Sequence, residues 1–390
     1  MFSLTEEQKA IKKAARDFAE KEFTKELLLK CEEEDGIDIL QNLIRKASQL
    51  GFSNIEFPTE YGGQGYTFFE KVLVTEEFCR VGSGVGVAIA EGCGVAATLV
   101  NAVGTEEQKK KYLPPALKGD GGIAGAFTEP AHGTDITFLE TFAKKERSGW
   151  IINGTKTFIS GASEASSIVV LCQTNPDAKP PYRGQTLFLV DRKAEGVEIT
   201  KLKPKLGLHA WSTCEIKFDN VYVDDFSMLG ELNRGFYHTL LLFNQLRILG
   251  GVRSLGMAEG AFESALKHAK ERIIRGKNLV SYQGIRWMLA KMAAKIELAK
   301  LLVYKAAYLE GRGVGDPVLA CMVKSWVVEE MLNVIDEAIQ IFGGLGYMAE
   351  TGIERRWRDA RAFKIAGGTR EMALNTIADF IIEKNYNLIW

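Results

Sequence analysis

The chain has 390 residues, with 49 Lys and Arg against 50 Asp and Glu, a formal net charge of -1, and 46% hydrophobic and 25% charged residues. This length allows roughly two or three domains of about 150 residues with a core that needs no staples, and the composition excludes a disordered or fibrous chain. Near-neutral charge with no basic stripe argues against nucleic acid or an anionic membrane as partner, and charges from Glu6 and Lys9 onward, with no long apolar run, argue against a membrane span or signal peptide.

Residues 1–120 read as helical. Thr105-Glu-Glu-Gln108 is a capping-box start, and Phe57–Gly65, rich in Gly and with one Pro, must be a loop. From 121 to 229 the apolar period shortens to that of strands. Trp150–Ile152 and Thr155–Ser160 flank Asn153-Gly154, the pattern of a hairpin with a two-residue turn. Ser167–Cys172, Thr186–Val190, Glu215–Phe218 and Val221–Val223 read as further short strands, and Asn175–Tyr182 as a Pro-rich surface loop. From 230 to 390 the helical period returns: Leu255, Ala258, Phe262, Ala265 and Ala269 recur every three or four residues, with Glu263, Lys267 and Lys270 between them. Segments 283–311, 316–341 and 368–384 behave similarly, as a bundle of four or so long helices does. The expectation is an α+β fold of three domains: an N-terminal helical domain (1–120), a middle β-barrel or sandwich (121–229) and a C-terminal four-helix bundle (230–390).

Cys31, Cys79, Cys93, Cys172, Cys214 and Cys321 show no C-x-x-C pair, the usage of a cytoplasmic enzyme with reduced, buried thiols. The four His have no metal-ligand spacing, so no metal is expected. Gly343-Gly344-Leu-Gly346 does not follow a strand and carries no weight as a dinucleotide fingerprint.

Several phrases converge, in order and over essentially the whole chain. Thr128-Glu-Pro-Ala-His-Gly-Thr-Asp135, Asn153-Gly-Thr-Lys-Thr-Phe-Ile-Ser160 and Lys205-Leu-Gly-Leu-His-Ala-Trp-Ser212 resemble signatures of the acyl-CoA dehydrogenase family. So do Arg272 with Gly276, Gln283 with Leu289-Ala-Lys-Met292, Gln340-Ile-Phe-Gly-Gly-Leu-Gly-Tyr347 and Arg358-Asp359. The resemblance implies that family's fold, an FAD cofactor and an acyl-CoA substrate. A flavin needs hydrogen bonds at its edge and a wall against its ring. By position, Phe127, Thr128, Phe158 and Ser160 match the flavin-lining residues, Ser160 toward N5 and Phe158 against the ring. Arg272 matches the pyrophosphate ligand reaching a neighbouring subunit's flavin, and Gln283, Gln340 and Gly344 fall in the same cofactor motifs. Gly368, Thr369 and Glu371 match the adenylate side. Thr134 matches a contact to the acyl-CoA, with Asn244, Arg247, Ala366 and Gly367 also at substrate positions; Asn244 replaces an Asp that often helps hold CoA. His209 stands where an Arg is usual, and His132 lies in the loop of the first signature.

Family members remove a proton beside the thioester carbonyl with a carboxylate while a hydride passes to flavin N5, and such a base contributes about 10²–10⁴-fold. Most carry that Glu just before Gly-Thr in the last domain, where this chain has Ala366-Gly367-Gly368-Thr369. A smaller group places it just before the bundle's Arg, where this chain has Leu246-Arg247. Gln245 is an amide and no base, and Glu371 belongs with the adenylate side. Glu91 lies in an otherwise apolar, helical stretch from Val85 to Val100, on the helix that closes the deep end of the acyl pocket by resemblance. Burial there is expected to raise its pKa toward a useful base; the alternatives are a structural acid of the pocket floor and a solvent-exposed side chain. A deep base suits a cyclic enoyl-CoA, whose vinylogous carbon is acidified, giving a conjugated dienoyl-CoA by 1,4-elimination. The resemblance further implies electron-transferring flavoprotein as acceptor and a homotetramer, without nucleic acid or membrane. Rival readings are an enoyl-CoA reductase of the same fold, a non-catalytic subunit and a flavin monooxygenase.

Overall fold

Helices come first, then strands, then helices again. The computed structural model of the chain describes residues 3–33 and 37–383, so the end of the third expected domain, 384–390, lies outside the described residues. Among the described residues, α1 (Glu6–Glu22), α2 (Lys25–Glu33), α3 (Ile37–Gln49), α4 (Phe68–Gly82), α5 (Gly84–Ala90), α6 (Ala97–Val103) and α7 (Glu106–Leu117) precede the first strand. The Thr105 capping box forms: its hydroxyl accepts from the Gln108 N–H at 3.2 Å, and the Gln108 side-chain carbonyl accepts from the Thr105 N–H at 2.9 Å. Phe57–Gly65 is a loop around a single 3-10 turn, Thr59–Tyr61.

Eight strands follow: β1 (Ile123–Ala126), β2 (Phe142–Glu146), β3 (Gly149–Ser160), β4 (Ser167–Gln173), β5 (Gln185–Asp191), β6 (Val197–Lys201), β7 (Thr213–Asp224) and β8 (Met228–Leu229). They form one sheet in the order β6-β7-β3-β2-β4-β5-β8, with β1 parallel beside β4. Trp150, Ile152, Phe188, Phe218 and Val221 pack into a core of its own.

Asn153-Gly154 is not a turn. β3 runs through it, pairing with β2 on one side and β7 on the other. Each half of the expected hairpin thereby gains a longer partner than the other half offers, and cross-strand pairs are the unit of sheet stability. The register slips between Ile152 and Gly154, opposite Asn220 at φ 53°, whose N–H donates to Asn153 Oδ1 at 2.8 Å. Asn-Gly thus serves an irregularity of the ladder. Gly154 adopts φ +142°, and a Cβ there would lie 2.5 Å from Thr141 Cα, so a side chain is excluded. Glu215–Phe218 and Val221–Val223 are likewise parts of one strand, β7.

The last third contains α8 (Gly235–Glu271), a two-stranded ribbon of β9 (Ile273–Ile274) and β10 (Lys277–Asn278), and α9 (Gln283–Gly311). It continues with α10 (Pro317–Met322), which passes through a π-helical segment, Val323–Val327, into α11 (Val328–Phe342). Then come α12 (Gly344–Tyr347), α13 (Ile353–Arg361) and α14 (Arg370–Glu383). The stripe Leu255, Ala258, Ala265 and Ala269 is fully buried, and α8 packs against α4 of the first domain as well as α9 and α11.

One carboxylate clasps all three regions. Buried Asp359 on α13 accepts from the Ser83 hydroxyl at 2.7 Å, the Gly84 N–H at 2.9 Å and the Leu208 N–H at 2.6 Å. Asp359→Ala orphans these donors, two of them backbone amides, and is expected to cost about 2–4 kcal/mol, read as a lowered Tm in thermal unfolding. All six cysteines are buried. Among the described residues no helix is long and apolar enough to cross a membrane.

Candidate active site

The flavin-lining candidates lie where β1 and β3 end. Lys156 is fully buried on β3; its ammonium bonds Glu129 Oε1 at 2.8 Å and the Phe127 carbonyl at 3.1 Å. Glu129 also accepts from the Glu140 and Thr141 N–H groups at 2.6 and 2.9 Å. Burial opposes its ionisation, but Lys156 and these hydrogen bonds hold the carboxyl below its usual range. The pair stiffens Phe127-Thr128-Glu129, and the Thr157 N–H donates to the Thr128 carbonyl at 2.9 Å. Lys156→Met leaves Glu129 buried without its cation and is expected to cost about 3–5 kcal/mol, with loss of bound FAD, checked by thermal unfolding and flavin absorbance. Glu129, His132 and Glu140 bring ligand-capable atoms within 4.8 Å of one another, but Glu129 is already engaged as described. His132 sits in a tight turn with Glu129, as a loop residue.

A second slip in the β3 register, between Lys156 and Ile159, adds one residue to β3. It forces Phe158 to φ 57° and leaves the ring 68% exposed, between buried neighbours Thr157 and Ile159. A large aromatic ring presented this way fits the face of a flat cofactor. The Thr128 and Ser160 hydroxyls bond no other described residue, as donors reserved for a ligand would. These features fit FAD.

Across from this edge, the Phe127 ring meets Phe243 of α8 edge-on, with centroids 6.0 Å apart. One turn on, the Arg247 guanidinium donates to Asn244 Oδ1 at 3.3 Å. Between them, Leu246 faces Gly367: a Cβ built on Gly367 would lie 3.6 Å from Leu246 Cβ, in ordinary contact. The two positions at which the resemblance places a base therefore meet in space, and neither carries a carboxylate. Ala366 and Gly368 are exposed, Gly367 and Gly368 have φ +75° and +88°, and Thr369 caps α14, accepting from the Met372 N–H at 3.3 Å. Glu371 is exposed in the first turn of α14. Thr134 is exposed on the loop after β1.

Glu91 lies just past the end of α5, so the expected continuous helix from Val85 to Val100 is broken into α5 and α6. The Cys93 carbonyl accepts from the Ile123 N–H at 3.0 Å and the Ala96 N–H donates to the Ile123 carbonyl at 3.1 Å, turning the chain onto β1. Glu91 is buried and bonded by the Arg253 guanidinium of α8, with Lys71 of α4 also near. The expected rise in pKa is reversed. Burial does push it up, but the charges of Lys71 and Arg253 outweigh burial and hold Glu91 below the usual carboxylate range. Arg253 in turn lies over the Phe363 ring, 5.6 Å from its centroid, on the segment leading to Gly367. Glu91 and Ser160 also line one cavity, with Ala124, Gly161 and Trp211.

Arg272, Gln283, Gln340 and Gly344 are exposed on the bundle, in elements other than the strand that carries Phe158 and Ser160. His268 stacks on Phe342 with centroids 4.4 Å apart, which sets the end of α8, bearing Arg272, beside the end of α11, bearing Gln340. His209 bonds the Lys205 carbonyl at 2.9 Å and lies 3.4 Å from Glu32. Four residues escaped sequence reasoning: Glu129, Lys156, Arg253 and Lys324, whose buried ammonium donates to the Phe363 and Ala366 carbonyls. The first two stand inside quoted signatures, so an unassigned charge within a motif was the available signal; Arg253 and Lys324 carried none.

Family models for the acyl-CoA dehydrogenase N-terminal, middle and C-terminal domains match residues 5–120, 124–221 and 233–382. The chain is 36% identical over 379 residues to a 3-(aryl)acrylate reductase of Clostridium sporogenes, covering 97% of this chain and 99% of that one. It is 37% identical over 380 residues to the caffeyl-CoA reductase-Etf complex subunit CarC of Acetobacterium woodii, with the same coverage. The solved butyryl-CoA dehydrogenase of Megasphaera elsdenii superposes with a TM-score of 0.91 at 32% identity, covering 98% of this chain and all of that one. End to end, then, in sequence and in fold, this chain belongs to the acyl-CoA dehydrogenase family of FAD-dependent oxidoreductases acting on acyl-CoA.

Proposed function

We propose that the substrate is an alicyclic acyl-CoA already unsaturated beside the thioester, and that Glu91 is the base. The observation that carries this reading is the pairing of Gly367 with Leu246 at the two base positions, with a buried carboxylate elsewhere, Glu91, joined through Arg253 to the segment ending at Gly367. Losing a side chain at 367 leaves width for a ring. Glu91 takes a proton from the vinylogous carbon, a hydride leaves a second ring carbon, and a conjugated dienoyl-CoA results. Because Lys71 and Arg253 lower the proton affinity of Glu91, the chemistry leans on an acidified carbon more than on a strong base.

FAD, when bound, supplies the hydride acceptor. Phe127, Thr128, Phe158 and Ser160 would hold its ring, and Gly368, Thr369 and Glu371 its adenylate side. Arg272, whose planar fork suits pyrophosphate, would reach across from a neighbouring subunit with Gln283, Gln340 and Gly344. In support of a second copy there, Ile273, Trp287, Leu345 and Tyr347 are exposed on the elements bearing those residues, Tyr347 at 86%. Thr134, Asn244 and Arg247 would contact the acyl-CoA. The Etf complex in the name of one relative favours electron-transferring flavoprotein as acceptor.

The test is anaerobic titration of the FAD-loaded protein with linear and alicyclic acyl-CoA esters, following the flavin band. Ring-bearing enoyl esters are expected to bleach it, and bleaching by straight saturated chains alone overturns the proposal. The reductase direction is the second reading, because three relatives are named as reductases, one of them for a 3-(aryl)acrylate. Flavin reduction by an external donor with an enoyl-CoA as the only reoxidant favours that direction.

A further inference from the structure

Lys324 is the second residue of the π-helical segment that interrupts the helix between α10 and α11. Its side chain is 1% exposed, and its ammonium donates to the carbonyls of Phe363 and Ala366. Among the described residues no carboxylate lies within ion-pair reach of it. A buried ammonium held only by carbonyls is costly, and a π-helical turn inside a helix is a second departure from the stable form. Both occur at one residue, and what they secure is the segment running into Ala366-Gly367, against Leu246.

That segment has few restraints of its own. Ile365 and Ala366 are exposed, their N–H groups both donate to the Ala362 carbonyl, and two left-handed glycines follow. The Arg253 guanidinium over Phe363 and the Lys364–Glu329 ion pair at 3.3 Å hold its beginning, while among the described residues Lys324 alone ties down the Ala366 carbonyl beside Gly367.

We propose that Lys324 is a positioning residue for the acyl pocket: by tying the Phe363 and Ala366 carbonyls to the bundle, it fixes Gly367 in its place opposite Leu246 and sets the width open to a bulky acyl group beside that pair. The inference rests on the reading that the acyl group lies against Gly367 and Leu246. The groups facing Lys324 are Arg247 and Arg253 of α8 and Glu371 of α14; burial first, then the two guanidiniums, push its pKa down to about 7. Its charge-assisted bonds therefore weaken as pH rises through neutrality.

The experiment compares wild type, Lys324→Met and Lys324→Gln as FAD-loaded full chains, measuring the Kd of a slim (butyryl) and a bulky (cyclohexene-carbonyl) CoA ester from the perturbed flavin spectrum. Binding is read whether or not either ester is turned over, so a failed proposal for the reaction and a failed role for Lys324 give different results. In Lys324→Met the Kd of the bulky ester is expected to rise about tenfold more than that of the slim one. Lys324→Gln, keeping a donor, is expected to fall between. The wild-type Kd for the bulky ester rises as pH passes neutrality, and Lys324→Met loses that slope. An equal rise for both esters, an unchanged bulky-ester Kd, or a pH slope that survives in Lys324→Met overturns the inference. If Lys324→Met does not retain FAD, the slim-to-bulky ratio of Lys324→Gln decides by the same criterion.

Discussion

Glu91→Gln leaves FAD bound but slows its bleaching by substrate by about 10²–10⁴-fold, the contribution of a positioned base. The amide matches the carboxylate in shape and cannot take a proton. Stopped-flow absorbance at the flavin band measures it, and turnover within about tenfold of wild type removes Glu91 from the mechanism. A stability change accompanies the substitution, because Arg253 then lies buried without its carboxylate, whereas Lys71 keeps Glu56 at 2.6 Å. Flavin content and Tm separate that effect from lost chemistry. The pH dependence has a definite sign. Since the folded state holds Glu91 below the usual carboxylate range, its ion pair stabilises the fold above the unfolded-state value of about 4.3, and that stabilisation is lost as pH falls through the lower folded value. The acid limb of the rate profile for free enzyme accordingly lies below the ordinary carboxylate range.

Leu246→Glu is expected to create oxidation of slim, saturated acyl-CoA esters about 10²-fold or more above the wild-type background, because it puts a carboxylate beside Gly367 where wild type has none. The position is helical and half-buried on α8, so a Glu fits without backbone strain. Arg247 is its chain neighbour, and with Lys324 close to that residue the local charge favours an ionised acid. Gly367→Glu is the poorer route, since φ of +75° disfavours any L side chain by about 1–2 kcal/mol. Steady-state assays with butyryl-CoA and an artificial acceptor measure the gain. If Leu246→Glu binds FAD and substrate and stays at background, the facing pair is not where this chain's acyl carbons lie.

Local features were legible in the sequence. The Thr105 capping box spans four residues and forms as its side chains require. The long bundle helices follow the 3.6-residue stripe of Leu255, Ala258, Ala265 and Ala269. Asn153-Gly154 failed for the opposite reason. Its local preference for a turn is small beside the pairing that β2 and β7 offer, and those partners are distant in sequence. Phe158 shows a mixed case: its motif marked the residue, while its exposure comes from one extra residue in the β3 register.

The absence of a carboxylate at both usual base positions, the order of the domains and the family itself follow from the sequence alone, because motifs and periods are properties of neighbouring residues. The folded chain decided what those positions do. Leu246 meets Gly367, Lys324 reaches Phe363 and Ala366, and Arg253 reaches Glu91 across 162 residues. Burial alone predicted a raised pKa for Glu91; Lys71 and Arg253 reversed it, since electrostatic energy depends on separation in space and not along the chain.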